Sequence, residues 1–85
     1  MQEFSYQIKD ENGIHARPAG LLVKELTAFK SKITVVNGEK SCDGKSLLSL
    51  MKLRAKQNDS IIVRAEGEDE AEASACAKKF LEENM

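Results

Sequence analysis

Residues 11 to 20 read ENGIHARPAG and hold the only histidine, His15, and the only proline, Pro18, of the 85-residue chain, with Arg17 between them. An imidazole beside a guanidinium can bind, accept or pass on an anionic group. If His15 stands at the start of a helix, Ala16 and Arg17 open it. Pro18 then falls in the first turn, where its missing N–H costs nothing. The positive end of that helix disfavours imidazolium and leaves a neutral, nucleophilic ring. The same free N–H groups, those of Ala16 and Arg17, suit a dianion carried on the ring, and Arg17 adds a permanent cation. Reversible phosphorylation of His15 fits this set. A histidine that merely caps the helix fits it as well and is the commoner case, so the chemistry alone leaves both readings open. Metal chemistry and a catalytic triad are disfavoured, because no second His, Ser or Cys lies near His15.

The elements that must position these residues follow from period. FSYQI alternates, with Phe4, Tyr6 and Ile8 on one face of a strand. Asn12–Gly13 is a turn. From Ala16, the positions Ala19, Leu22, Val23, Leu26 and Phe29 have helical spacing. Gly20 inside that helix costs about 1 kcal/mol against Ala, which suggests close packing there. KITVV and EKSCD flank Asn37–Gly38 as an antiparallel hairpin ended by Gly44. SLLSLMKL is a short helix with Ser46 as N-cap, and SIIVRAE is a β-branched strand. The last helix has Asp69 as N-cap, acids in its first turn, Lys78 and Lys79 towards its end, and an apolar stripe of Ala73, Cys76, Ala77 and Phe80. The order β-α-β-β-α-β-α predicts an α+β two-layer sandwich, one sheet face covered by helices and the other wet.

Composition bounds the function classes. The chain has room for one domain, residues 1–85, with 32% charged and 41% hydrophobic residues and a formal net charge of −1. That balance disfavours a nucleic-acid-coating protein. No apolar run approaches the roughly 20 residues of a membrane span, and MQEFSYQIKD is no signal peptide, so a cytoplasmic protein is expected. Cys42 and Cys76 are expected to be free thiols, and a structural zinc site is disfavoured. Arg17, Lys24, Lys45, Lys52, Arg54 and Lys56 are expected on one basic face, where the start of the first helix lies beside the second. Glu66, Glu68, Asp69, Glu70 and Glu72 gather at the last helix. Such a face suits salt-sensitive docking to acidic surfaces.

GIHARPAG closely resembles the active-site segment of the HPr family, the histidine-containing phosphocarriers of the bacterial phosphoenolpyruvate:sugar phosphotransferase system. VNGEKS, GKSLLSLM and AEGEDEAEA extend the resemblance over nearly the whole chain. It implies an open-faced β-sandwich, a four-stranded antiparallel sheet with three helices on one face. It implies a phosphocarrier, not an enzyme with a small-molecule turnover of its own. His15 would be phosphorylated on Nδ1 with Arg17 in support. Enzyme I would be the donor, the sugar-specific IIA domains would be acceptors, and no cofactor would be needed. Ser46 matches a regulatory serine that HPr kinase/phosphorylase modifies. Leu47, Leu48, Met51, Gly20, Lys24 and Arg54 fall where partners would bind. A regulatory module acting through phospho-Ser46 on a regulator of the catabolite control protein A type is the alternative function, and a monomer is expected. The chain departs from the family at Arg54, where many members carry glycine. Arg54 must end the helix differently, accept strain, or let the helix run on. It is either a second cation near the phosphoryl site or a solvated surface residue. Asn58 replaces another common glycine and tolerates positive φ. Gly20 replaces a common alanine or threonine.

Overall fold

The computed structural model describes residues 1–85 as β1 (Gln2–Gln7), α1 (Ala16–Leu26), β2 (Lys32–Asn37), β3 (Lys40–Asp43), α2 (Leu47–Lys52), β4 (Ser60–Glu66) and α3 (Glu70–Asn84). The strands form one antiparallel sheet in the order β1-β4-β2-β3. Strand alternation decides which side is covered. Phe4, Val63 and Val35 lie in one cross-strand row, and Glu3, Arg64 and Thr34 in the next. Side chains of neighbouring rows point to opposite faces. Ile33, Val35, Ile61, Val63 and Ala65 are buried in one cluster with Ala19, Leu22 and Leu26 of α1, Leu50 of α2, and Ala73, Ala77, Phe80 and Leu81 of α3. All three helices therefore bury their apolar stripes on the same sheet side. The other side carries Glu3, whose carboxylate meets Arg64 Nε at 2.6 Å. That pair is exposed and worth at most about 1 kcal/mol.

Local expectations and structure differ at several points. Ile8 lies just past β1 yet is fully buried, its N–H donating to Asp59 and its carbonyl accepting from Asn58. The helical spacing runs on to Phe29, but α1 ends at Leu26. Thr27 caps it, and Phe29 packs half-buried against the core from the following turn. Gly20 meets no close neighbour: a Cβ there would have nothing within 4 Å. Close packing therefore does not account for it.

In α3 the stripe is Ala73, Ala77, Phe80 and Leu81. Cys76 sits at its edge, half-buried, with Sγ 3.4 Å from Glu25 of α1. Lys78 and Lys79 fall short of the last turn, which holds no basic residue. Asp69 occupies the N-cap position without capping. Its carboxylate instead accepts from the Lys30 and Ser31 amides at 2.8 and 2.9 Å and from the Ser31 hydroxyl. It ties the start of α3 to the segment entering β2. Cys42 and Cys76 are both free thiols, and burial pushes the Cys42 thiol up to about 11. No helix is long and apolar enough to cross a membrane.

Candidate functional site

The segment leading to His15 is held from several sides. The Lys9 and Asp10 amides donate to the Met85 main-chain oxygen at 2.7 and 2.9 Å. The Asp10 carboxylate accepts from the Asn12 amide at 2.8 Å, and its carbonyl accepts from Gly13 at 2.9 Å, which closes the turn. Gly13 has φ +65°, and a Cβ there would sit 2.2 Å from the Ala55 carbonyl oxygen. Only glycine fits this approach. Ile14 is buried, and its N–H donates to Ala55 at 3.1 Å.

His15 follows in extended conformation (φ −121°, ψ 166°) as the N-cap residue of α1. Its carbonyl accepts from Ala19, while its ring makes no capping hydrogen bond. The plain capping role is thus absent, and the imidazole, 37% exposed, is not committed to holding the helix. Pro18 is buried in the first turn. The amides of Ala16 and Arg17 donate to no protein group. They are free N–H groups of the kind that bind anions at helix starts. Arg17 is exposed and makes no ion pair, so its guanidinium is available.

Asp10, which the spacing of His15, Arg17 and Pro18 does not single out, also reaches the site. Its Oδ2 lies 3.6 Å from His15 Nε2, so the ring sits between a helix start and a carboxylate. The available signal was an Asp two residues before Asn12, the pattern of an Asx turn.

Helices α1 and α2 run side by side in opposite directions. Ile14 meets Ala55 at one end, and Lys45 Nζ donates to the Phe29 carbonyl at 2.6 Å at the other. The start of α1 therefore lies by the end of α2. This divides the expected basic face: Arg54 and Lys56 flank Ala55 near the His15 loop, and Lys45 belongs to the far end.

Arg54 accepts strain, with φ +53° directly after the C-cap residue Leu53. Its left-handed backbone ends the helix as a glycine would. Its side chain is exposed. Asn58 also has positive φ, +75°.

Ser46 N-caps α2, its Oγ accepting from Ser49 at 3.3 Å. Leu47 and Leu48 are both exposed, Leu48 at 68%, while Leu50 and Leu53 of the same segment fill the core. Met51 is half-buried against that core. Gly20 is partly exposed and Lys24 exposed on α1. Leu21, absent from the sequence-derived set, is 52% exposed on α1. Its signal is its position outside the stripe of Ala19, Leu22 and Leu26. The shallow clefts of the surface do not include His15. No group of three or more His, Cys, Asp or Glu residues is placed to hold a metal.

Residues 2–83 match the family model described as the PTS HPr component phosphorylation site. The phosphocarrier protein HPr of Mycoplasma genitalium is 44% identical, over 99% of this chain and 97% of that protein. A solved mycoplasma histidine-containing phosphocarrier protein superposes with TM-score 0.94 at 35% identity, covering 96% of this chain and 93% of that one. The Bacillus subtilis catabolite repression protein Crh, crystallised as a domain-swapped dimer, gives TM-score 0.79 at 30% identity over 94% of this chain and 92% of that one.

Proposed function

The chain belongs to the HPr family of phosphocarriers of the phosphotransferase system, and we propose that His15 is the residue on which it carries the phosphoryl group. The observation that supports this most is the state of His15: a half-exposed imidazole at a helix start, excused from capping, beside two free amides and an unpaired Arg17.

Transfer moves the phosphoryl group from one imidazole to another. The N–P bond of a phosphohistidine donor breaks, and its electron pair returns to the donor ring. The His15 Nδ1 lone pair forms the new N–P bond. The donor ring loses its positive charge, and His15 gains one while keeping its Nε2 proton. Chain groups act mainly by placement and by stabilising the charge on the phosphoryl oxygens. The Ala16 and Arg17 amides and the Arg17 guanidinium are the groups for that task.

Enzyme I is the donor in this reading, and sugar-specific IIA domains are the acceptors. The protein is a carrier in the cytoplasm rather than an enzyme. A site outside the surface clefts suits direct contact between proteins better than capture of a small molecule. Exposed Leu47 and Leu48 on α2 and Leu21 on the neighbouring α1, with Met51, Gly20 and Lys24 on the same two helices, offer such partners apolar and charged side chains.

Ser46 carries a second reading. Its hydroxyl stands at the start of α2 beside Leu47 and Leu48. A phosphate there would meet a favourable helix end and alter that patch. Modification by HPr kinase/phosphorylase, read by a regulator of the catabolite control protein A type, would follow. The likeness to Crh supports this reading.

The test is incubation with enzyme I, phosphoenolpyruvate and Mg²⁺, followed by intact mass. One acid-labile phosphate that disappears in His15→Ala is expected. No phosphate, or one that persists in that variant, refutes the assignment. An acid-stable phosphate from the kinase and ATP, lost in Ser46→Ala, is the corresponding result for Ser46.

A further inference from the structure

We infer that Asp10 is a positioning residue for His15, its carboxylate selecting which ring nitrogen is left free to attack. The inference rests on the reading of His15 as phosphoryl acceptor and adds the group that orients it.

Asp10 is fixed by its own surroundings. Its N–H donates to Met85, its carbonyl accepts from Gly13, and its Oδ1 accepts from Asn12 at 2.8 Å. Those bonds leave Oδ2 uncommitted within the turn, and Oδ2 is the atom that faces His15 Nε2 at 3.6 Å. The pair is partly shielded, with side-chain exposures of 27% for Asp10 and 37% for His15. At that separation the contact is electrostatic rather than a formed hydrogen bond. It still has a direction. An N–H at Nε2 points its positive end at the carboxylate, whereas a lone pair there is repelled by it. In a neutral imidazole one nitrogen carries the proton and the other the lone pair. A proton held at Nε2 therefore places the lone pair on Nδ1.

The same contact continues through transfer. When Nδ1 takes the phosphoryl group, the ring becomes cationic and its Nε2 proton still faces Asp10. The phosphoryl group lies on the ring nitrogen turned away from the carboxylate, so the two anions are kept apart. The other charged side chains close to this loop are Lys9 and Glu11 on either side of Asp10, Arg17 on α1, and Arg54, Lys56 and Asp59 on the segment after α2. Asp10 forms no ion pair with any of them.

The test reads the ring directly and needs no protein donor. Ring ¹⁵N NMR of the folded chain at a pH of about 9, above the ordinary imidazole range, gives the ratio of the two neutral tautomers. Asp10→Ala removes the carboxylate. Asp10→Asn keeps an acceptor for Asn12 and turns an amide towards Nε2. The Nε2–H to Nδ1–H ratio is expected to fall about twofold to fivefold in Asp10→Ala, the range for a half-exposed charge contact. It should fall at least as far in Asp10→Asn. Phosphorylation by phosphoramidate, with the modified nitrogen identified by NMR, should shift from Nδ1 towards Nε2 in the same variants. An unchanged tautomer ratio in both variants overturns the inference. So does a change confined to Asp10→Ala, which would reflect loss of the turn alone. A chain that takes no phosphate from enzyme I yet shows the Asp10-dependent ratio loses the carrier reading and keeps this one.

Discussion

The Ile14 N–H donates to the Ala55 carbonyl at 3.1 Å, and this bond couples the residue before His15 to the residue after Arg54. Two distant parts of the chain are thereby joined at the candidate site. One is a turn that delivers the imidazole, and the other is a helix end carrying cations.

That junction depends on Gly13. A Cβ there would lie 2.2 Å from the Ala55 oxygen and 2.9 Å from Lys56 Cα, both backbone atoms, at φ +65°. Gly13→Ala is expected to cost about 2 kcal/mol or more, from left-handed strain plus overpacking. It should also slow phosphoryl uptake, because relief of the clash displaces Ile14 and His15. Denaturant unfolding and the uptake rate at matched folded fraction check both effects.

Arg54 gives the opposite sign. Its φ of +53° strains any residue with a Cβ. Arg54→Gly is expected to stabilise the fold by about 0.5–1 kcal/mol, less whatever glycine's extra freedom in the unfolded chain takes back. Removing a cation beside the His15 loop should slow uptake severalfold at low salt, and the difference should shrink at high salt. A uniform rate across ionic strength in both proteins would make Arg54 an ordinary surface arginine.

Ser46 has a structural duty independent of any modification. Its Oγ accepts from the Ser49 amide at 3.3 Å. Ser46→Ala should destabilise the protein by about 0.5–1 kcal/mol, and Ser46→Asp should not, because Asp also caps and its charge suits a helix start. Thermal midpoints of the three proteins decide this.

Asp69 makes stability depend on acid. Hydrogen bonds from the Ser31 hydroxyl and the Lys30 amide hold its carboxyl below its ordinary value of 3.8. A depressed native value favours folding above the unfolded value, and that contribution is lost as pH falls through the native one. Wild type should therefore lose stability between about pH 5 and pH 2 more steeply than Asp69→Asn. Parallel unfolding midpoints over that interval would show that the carboxylate is not the group responsible.

The residues themselves determined the order of elements, because period is a local property. Alternation marks strands, spacing of three and four marks helices, and Asn37–Gly38 permits little but a hairpin. Ser46 as N-cap and His15 at the start of α1 were legible for the same reason, as was the resemblance carried by GIHARPAG. Contacts between distant segments were not. Period cannot tell that Asp69 leaves its own helix uncapped to hold Lys30 and Ser31, or that Leu81 rather than Cys76 completes the α3 stripe. Nor does it place Leu47 and Leu48 outside the core while Leu50 and Leu53 enter it. The site divides the same way. His15, Arg17 and Pro18 lie within four residues and could be read together. Asp10 reaches the ring only because Met85, Asn12 and Gly13 fold its loop back. Arg54 and Lys56 approach only because Ala55 accepts from Ile14. Hydrogen bonds across such separations form only after the sheet and helices have packed, so tertiary structure alone decided them.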